Sequence, residues 1–251
     1  EGLGPQLFEL ARGAEDAANR RGYHVILGNS DGSDTKQEEY LFFLAKKQVD
    51  GFILVPTSQH GPKTLQKHNI PFVTLDRRVT EDQVDCVRAD SMGGACQLTK
   101  HLLELGHRHV AVITGPQDHS TAYDRAVGAI QAFREAGISE QPQIYWGDYS
   151  PELGYERAKQ ALAAVPRPTA IFVASDVLLF GVIRALREAN LRVPEDVSVV
   201  AFDDIPPSIL VDPFFTVAVQ PTYEMGRQAV ELLLARLGTE RPDRFRDIVL
   251  P

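Results

Sequence analysis

Polar side chains in this chain follow directly after short apolar runs. Asp76 follows FVTL, Ser175 follows AIFVA and Asp203 follows VSVVAF. Carboxylates and hydroxyls can hydrogen-bond to a polyol from several sides, and an arginine flanked by carboxylates can present two parallel donors to vicinal oxygens. An aromatic ring such as that of Tyr149 can cover the C–H surface of the same molecule. These residue types therefore favour the binding of a small polar ligand.

The same residues do not form a pattern that is typical of catalysis or metal binding. The Asp203–Asp204 pair with Asp176 could be imagined as glycosidase carboxylates, but no nucleophile triad, phosphate loop or dinucleotide fingerprint accompanies them. His101, His107 and His109 lack the i, i+4 spacing of metal ligands on a helix, so surface histidines are expected. We therefore predict that the chain is not an enzyme and has neither a metal site nor a cofactor.

Two hydrophobic periods alternate along the chain. Amphipathic stretches predict helices at about 5–21, 34–47, 61–68, 91–106, 121–136, 151–164, 176–189 and 222–237. Short runs rich in Val and Ile predict strands at 23–28, 51–55, 72–75, 109–114, 170–174, 197–202 and 216–219. Runs that are apolar on both faces and separated by helices are typical of a parallel sheet covered on both sides. The predicted fold class is α/β, doubly wound.

An open parallel sheet binds ligands beyond the carboxyl ends of its strands. The candidate residues are therefore those that follow the predicted strands: Pro56–Ser58, Asp76–Arg77, Gly115–Thr121, Asp148–Tyr149, Ser175–Asp176, Asp203–Asp204 and Gln220. Polar loops follow the strands of any α/β protein, so this position alone does not make a residue a ligand contact.

Composition limits the partners and the compartment. A length of 251 residues lies near the point at which one core divides into two, and a net charge of -8 offers no footprint for nucleic acid. Cys86 and Cys96 lack metal-type spacing, which indicates buried thiols in a reducing compartment more than a disulfide. No apolar run approaches the ~20 residues of a membrane span, and no secretory signal is visible. A cytoplasmic protein without membrane contact is expected.

Five segments together resemble the LacI/GalR transcription regulators over nearly the whole chain. They are KQVDGFILVPTS (47–58), HNIPFVTLDRR (68–78), LLELGHRHVAVITGP (102–116), RPTAIFVASDVLLFGVIRAL (167–186) and LRVPEDVSVVAFDD (191–204). The third is the most diagnostic, since a helix ends at a glycine and a basic turn leads through a strand into Gly-Pro. Their order and spacing match those of the family.

The resemblance implies a type I periplasmic-binding-protein-like fold of two doubly wound lobes joined by three crossovers. Matching the chain to the family puts the crossovers near Ala89–Asp90, Gln220–Pro221 and Asp247–Val249. The first lobe would comprise residues 1–89 plus 221–247, and the second 90–220 plus 248–251. A small ligand would bind between the lobes, and the family's DNA-binding helix-turn-helix would be absent from these residues.

The resemblance also implies ligand contacts. The best-supported is Arg125, in the segment HSTAYDRAVGAIQAF. Asp76 and Asp203 match acidic positions that family members use on ligand hydroxyls, and Tyr149 falls where relatives place an aromatic platform. The remaining predicted contacts are Ser175, where sugar-responsive relatives often carry Asn; Gln220, at a crossover; and His119 and Thr121, where purine-responsive relatives place polar groups.

One departure from the family bears on the ligand. Relatives usually read Asn-Pro-aromatic-aromatic ahead of the first helix, whereas this chain reads Gly4-Pro5-Gln6-Leu7. The missing aromatic wall argues against a stacked purine, so a neutral sugar or a close derivative is expected, with a purine as the alternative. A strongly anionic ligand is disfavoured because two carboxylates face one arginine, unless Arg77 also points inward.

The predicted function is therefore the small-molecule sensing domain of a bacterial LacI-type regulator. The alternative is a secreted sugar-binding receptor of an ABC transporter, against which the VPEDVSVVAFDD and GHRHVAVITGP segments stand. Operator DNA would be bound through an N-terminal domain. A homodimer is expected because Tyr40, Phe42, Phe43 and Leu44 give helix 34–47 more apolar surface than one buried face needs, although a doubly wound helix also buries a wide stripe.

Overall fold

The computed structural model describes residues 5–81, 83–203, 215–239 and 242–251. Within these ranges the helices are α1 (Pro5–Asn19), α2 (Asp34–Lys46), α3 (Lys63–His68), α4 (Ser91–Glu104), α5 (Ser120–Glu135), α6 (Pro151–Leu162), α7 (Asp176–Glu188) and α8 (Thr222–Leu237). The strands are β1 (Phe52–Leu54), β2 (Phe72–Leu75), β3 (Asp85–Ala89), β4 (Val110–Ile113), β5 (Gln143–Tyr145), β6 (Ala170–Val173), β7 (Ser198–Phe202), β8 (Thr216–Ala218) and β9 (Asp247–Leu250). None of the helices described here is long and apolar enough to cross a membrane.

The chain divides into two compact units, residues 1–89 with 221–251 and residues 90–220. In the first unit the described strands pair in the order β1-β2-β3-β9, all parallel. Helix α8 packs on this sheet through Met225, Ala229 and Leu232, and α1 packs against α8. Leu41 of α2 and Leu65 of α3 are buried with β1 in a separate cluster. Helices thus contribute apolar side chains to two cores beside one parallel sheet.

The second unit has a parallel sheet with the strand order β5-β4-β6-β7-β8. Every residue of β4 and β6 is buried, because helices α4 and α5 cover one face and α6 and α7 cover the other. This arrangement explains why these strands read as continuous apolar runs. The predicted α/β, doubly wound fold class is confirmed.

Glycines allow the helices of the second unit to pack with their backbones in contact. A Cβ at Gly128 of α5 would overlap the carbonyl oxygen of Met92 in α4, and a Cβ at Gly154 of α6 would overlap that of Leu178 in α7. Any larger residue would force the helices apart. The close packing fixes the positions of α5 and α7, the helices that follow β4 and β6.

The segment 23–28, predicted as a strand, is not one. It has no regular secondary structure, and Ile26 and Leu27 are 65% and 63% exposed. A strand is stabilised by its ladder with a neighbour, and no described strand pairs with this segment. Strand β1 accordingly lies at the edge of the described sheet, with β2 as its partner.

The last residues also differ from the prediction, because 248–251 belong to the first unit. Strand β9 pairs with β3 in parallel from Cys86↔Asp247 to Ala89↔Leu250. The guanidinium of Arg88 binds both carboxylate oxygens of Asp247 at 2.9–3.1 Å. Asp247–Val249 is therefore part of a sheet strand and not the predicted crossover into the second unit.

A buried ion pair links the last turn of α8 to the first residue of β3. Nε of Arg236, in the last turn of α8, lies 2.6 Å from Oδ2 of Asp85, which is 1% exposed. Arg236 also donates to the carbonyls of Pro242 and Arg244, and Asp85 accepts the backbone N–H of Arg246. Removing either charge would leave the other buried and uncompensated. The pair thus fastens the segment that leads into β9.

His107 departs from the prediction of a surface histidine. Its half-buried imidazole has Nδ1 2.8 Å from Oγ1 of Thr169 and Nε2 3.0 Å from Oγ of Ser198. The ring therefore links the beginnings of β6 and β7, at the amino edge of the sheet. Burial lowers the pKa of His107 below its ordinary value, because desolvation penalises the charged imidazolium.

The lowered pKa predicts that His107 contributes to a loss of stability in mild acid. The unfolded chain takes up a proton at about pH 6.5, whereas the folded chain resists protonation until a lower pH. The stability contribution is therefore full above about pH 6.5 and is lost as the pH falls through the folded-state pKa. In urea unfolding, His107→Gln should reduce the fall in the free energy of unfolding between about pH 7 and about pH 5.

The matched control is His109→Gln, because the side chain of His109 is exposed in the same turn. This variant should keep the pH profile of the parent chain. Identical pH profiles for the parent chain, His107→Gln and His109→Gln would show that His107 does not cause the loss of stability in mild acid.

Candidate functional site

Arg125 on α5 is a buried guanidinium with three kinds of partner. Its side chain is 4% exposed, and Nη1 donates to the carbonyl oxygen of Ala174 at 2.6 Å. The same atom lies 3.6 Å from Oδ2 of Asp203. The guanidinium carbon stands 3.8 Å from the ring centroid of Phe202, which is a cation–π contact. The charge is thus held by a carbonyl dipole, a carboxylate and a ring face.

Asp203 and Gln220 extend this cluster. Asp203 follows β7 with φ at +75° and is 5% exposed, and its backbone N–H donates to the carbonyl of Ala218 at 2.8 Å. Its Oδ1 accepts a hydrogen bond from Nε2 of Gln220 at 2.6 Å. Because an ionised carboxylate only accepts, this bond fixes which end of the Gln220 amide faces Asp203. Within the described residues the amide oxygen accepts no hydrogen bond.

The first unit presents Asp76 by the same backbone arrangement. Asp76 follows β2 with φ at +66°, and its N–H donates to the carbonyl of Val87 in the neighbouring strand at 2.8 Å. Such positive φ values are uncommon for residues other than glycine and cluster at functional sites. Nη1 of Arg77 donates a hydrogen bond to the carbonyl oxygen of Pro56 at 3.2 Å. Its guanidinium therefore has a backbone partner in its own unit.

Tyr149 and His119 form a second group in the second unit. The ring of Tyr149 lies directly on Gly115, where a Cβ would overlap it. The ring centroids of Tyr149 and His119 are 6.1 Å apart, at an interplanar angle of 33°. His119 is the N-cap residue of α5 but makes no side-chain capping bond to the helix. The glycine after β4 is thus what allows the phenol ring to approach the backbone.

Ser175 and Thr121 occupy the beginnings of two helices. Oγ of Ser175 accepts the backbone N–H of Val177 at 3.2 Å and so caps α7. Oγ also lies 3.2 Å from Oδ1 of Asp176. Thr121 is 5% exposed in the first turn of α5. The hydroxyl of Ser175 thus already has a structural role as the cap of α7.

The structure brings most of the predicted contacts to one edge of the second sheet. Arg125, Asp203 and Gln220 are linked by the contacts above, and Ser175 adjoins the carbonyl that Arg125 binds. Asp76 occupies the corresponding edge of the first unit. Asp204, also a candidate, lies outside the described residues. Phe202 was missed, because an aromatic residue at the end of an apolar run reads as core.

Two buried polar atoms of the linked cluster lack a hydrogen-bond partner within the described residues: Nε of Arg125 and Oε1 of Gln220. In the first unit Oδ1 of Asp76 is in the same condition within those ranges. A buried polar atom left unsatisfied costs about 1–3 kcal/mol. These donor and acceptor atoms can therefore exchange hydrogen bonds with a polar molecule.

The described residues contain no group of three or more His, Cys, Asp or Glu side chains that could hold a metal ion. Cys86 and Cys96 are buried and free, as predicted. Burial raises the pKa of the Cys86 thiol to about 11, so it stays protonated at neutral pH. A thiol in this state is a poor nucleophile.

Comparison with known sequences gives consistent matches. Residues 99–251 match the family model of a periplasmic binding protein-like domain. The HTH-type transcriptional repressor PurR of Pectobacterium carotovorum subsp. carotovorum is 34% identical over 245 residues, which are 95% of this chain and 72% of that protein. PurR of Edwardsiella ictaluri is 35% identical over 249 residues, with the same coverage.

Comparison with solved structures points to the same family. The transcriptional regulator CelR in complex with cellobiose is 32% identical, with a TM-score of 0.88 over 99% of this chain and 77% of CelR. A LacI family regulator from Enterococcus faecium with bound ribose is 30% identical, with a TM-score of 0.84 over 100% of this chain and 92% of that one. CcpA of Lactococcus lactis is 27% identical, with a TM-score of 0.88 over 98% and 91%.

The predicted resemblance is therefore confirmed by both kinds of comparison, and the relatives are transcription regulators. This favours the regulator over the alternative of a transport receptor. The chain belongs to the LacI/GalR family of transcription regulators, as a periplasmic-binding-protein-like effector-binding domain.

Proposed function

We propose that the effector of this domain is a neutral sugar or a close derivative and that its main contacts in the second unit are Arg125, Asp203 and Gln220. The observation that carries the proposal is the pair of buried atoms, one donor and one acceptor, left open in this cluster. Sugar hydroxyls both donate and accept, so one hydroxyl pair can satisfy both atoms.

The charge of the cluster supports a neutral ligand. The carboxylate of Asp203 lies 3.6 Å from the guanidinium of Arg125, so the positive charge is already compensated and offers little attraction to an anion. Two structural neighbours are complexes with the sugars cellobiose and ribose. The remaining predicted contacts are Asp76 in the first unit and His119, Thr121, Tyr149 and Ser175 in the second.

A purine is the second candidate. The rings of His119 and Tyr149 lie 6.1 Å apart at the same edge of the sheet, and polar ring atoms can read the edge of a base. Sugar is preferred because the chain carries Gln6-Leu7 where relatives carry the aromatic pair that would stack on a base.

The effector acts by changing the regulator's affinity for operator DNA. A ligand shifts a two-state equilibrium only by its difference in affinity for the two states. With a net charge of -8, these 251 residues are poorly suited to phosphate contacts, so the operator is bound by another part of the regulator. The domain is not an enzyme, needs no cofactor or metal, and works in the cytoplasm, where the operator is.

We also propose that the regulator is a homodimer that pairs through α2. Tyr40, Phe42 and Phe43 on this helix are 40%, 48% and 55% exposed. The ammonium of Lys46 lies 4.1 Å from the ring centroid of Phe42, so the aromatic surface is bordered by positive charge. A rim of charge around apolar residues is typical of protein interfaces.

Removal of this aromatic surface should dissociate the dimer. Phe43→Glu places a charge in the proposed interface, so sedimentation at ~10⁻⁵ M should show a dimer for the parent chain and a monomer for the variant. Tyr123→Glu is the matched control, since Tyr123 is 50% exposed on α5 in the other unit, and it should remain dimeric. A monomeric parent chain would contradict the proposal.

Arg125→Ala should lower the affinity for the sugar by about 2–4 kcal/mol, because a buried charged donor is lost. Asp203→Asn tests the partner residue and suits a positive φ, which Asn tolerates. Calorimetry with cellobiose and with ribose measures the loss, and circular dichroism checks that both variants fold. Trp146, the chain's single tryptophan, follows β5, and its fluorescence provides a second measurement of binding.

Arg134→Ala is the matched control, because Arg134 lies exposed near the end of the same helix. It should bind the sugar with the affinity of the parent chain. Unchanged affinity in both Arg125→Ala and Asp203→Asn would show that the site is elsewhere. Binding of guanine with no binding of either sugar would replace sugar by purine as the ligand class.

A further inference from the structure

The ring of Phe202 is the broadest contact of the Arg125 guanidinium. Phe202 is the last residue of β7 and is 2% exposed, and its ring centroid lies 3.8 Å from the guanidinium carbon. Arginine has several rotatable bonds, and its planar group stacks on aromatic faces. A fixed ring under the guanidinium therefore selects one plane for it.

The position of this ring is set in turn by α4. Gly94 is the fourth residue of that helix, and a Cβ at this position would lie 3.0 Å from Cε2 and 3.1 Å from Cζ of Phe202. It would also lie 3.5 Å from the Cβ of Ala218 in β8. The ring edge thus rests on the bare backbone of Gly94. A methyl group there would displace the ring by a few tenths of an ångström.

We propose that Phe202 is a positioning residue, seated by Gly94, that sets the effector affinity by orienting Arg125. The ring faces the guanidinium, while Nη1 is directed at the carbonyl of Ala174. With these two contacts in place, Nε has one direction in which to donate. The inference rests on the proposed function in taking Arg125 as the ligand contact.

A purely structural role makes a different prediction. Phe202 belongs to the same buried cluster as Phe133, which is 0% exposed on α5. If Phe202 only fills space, truncation of either ring should cost stability and leave the guanidinium of Arg125 unchanged. If Phe202 positions Arg125, the two truncations should differ in their effect on that group.

The experiment compares Phe202→Leu with Phe133→Leu in the whole chain. The first readout is the order parameter of the Arg125 Nε–H from ¹⁵N NMR relaxation, with the resonance assigned by its loss in Arg125→Lys. The second is the affinity for cellobiose and ribose by calorimetry. Phe202→Leu should lower the order parameter, because the guanidinium loses the ring that fixes its plane, and should lower the affinity about tenfold, because the freed side chain must be ordered again on binding. Phe133→Leu should lower stability and leave both readouts as in the parent chain.

Gly94→Ala separates position from packing. Alanine is favoured over glycine within a helix, which offsets part of the cost of displacing a buried ring, so the free energy of unfolding should fall less than in Phe133→Leu. The displaced ring should nevertheless lower the Nε–H order parameter and weaken sugar binding, whereas Phe133→Leu should leave both unchanged. This opposite ranking of stability and affinity is not expected of a space-filling residue.

Two outcomes would overturn the proposal. One is an unchanged Nε–H order parameter in both Phe202→Leu and Gly94→Ala. The other is equal changes of that order parameter in Phe202→Leu and Phe133→Leu. If the parent chain binds neither sugar, the proposed ligand class fails, but the comparison of order parameters still decides whether Phe202 positions Arg125.

Discussion

A buried guanidinium must find partners for its charge, and this requirement organises the candidate site. Moving such an ion out of water costs several kcal/mol unless the surroundings compensate. Arg125 is compensated by the carbonyl of Ala174, the carboxylate of Asp203 and the ring of Phe202. Ala174 and Asp203 directly follow the neighbouring parallel strands β6 and β7, and Phe202 ends β7, with Val173 of β6 in register with Ala201 of β7. The register of one strand pair therefore assembles the surroundings of the charge.

The two units use the same backbone device to present a carboxylate. In each, an aspartate with positive φ directly follows a parallel strand and donates its N–H to the next strand of the sheet. The strained conformation persists because the flanking ladder holds it. A carboxylate at this point leaves the strand where the sheet ends, which is where open α/β sheets bind ligands.

Much of the fold could be predicted from hydrophobic period, because long amphipathic helices and doubly buried strands leave clear patterns. Strands β5 and β9 were not predicted, because they are short edge strands with exposed positions. Strand β3 escaped because it begins with Asp85, whose burial depends on the distant Arg236. The segment 23–28 has the composition of a strand, but composition does not supply a neighbour. In the site, the polar residues could be predicted because open parallel sheets bind ligands beyond the carboxyl ends of their strands. The contact of Phe202 with Arg125 could not, because it depends on packing between elements far apart in sequence.

The proposed effector site lies beyond the carboxyl ends of the second unit's strands. Amide hydrogen exchange, with and without saturating effector, tests it most directly, because it reports protection segment by segment. Effector binding there should slow exchange at residues 119–125, 174–177 and 216–220. Protection confined to the amino edge of that sheet, around residues 106–109, would contradict this placement of the site.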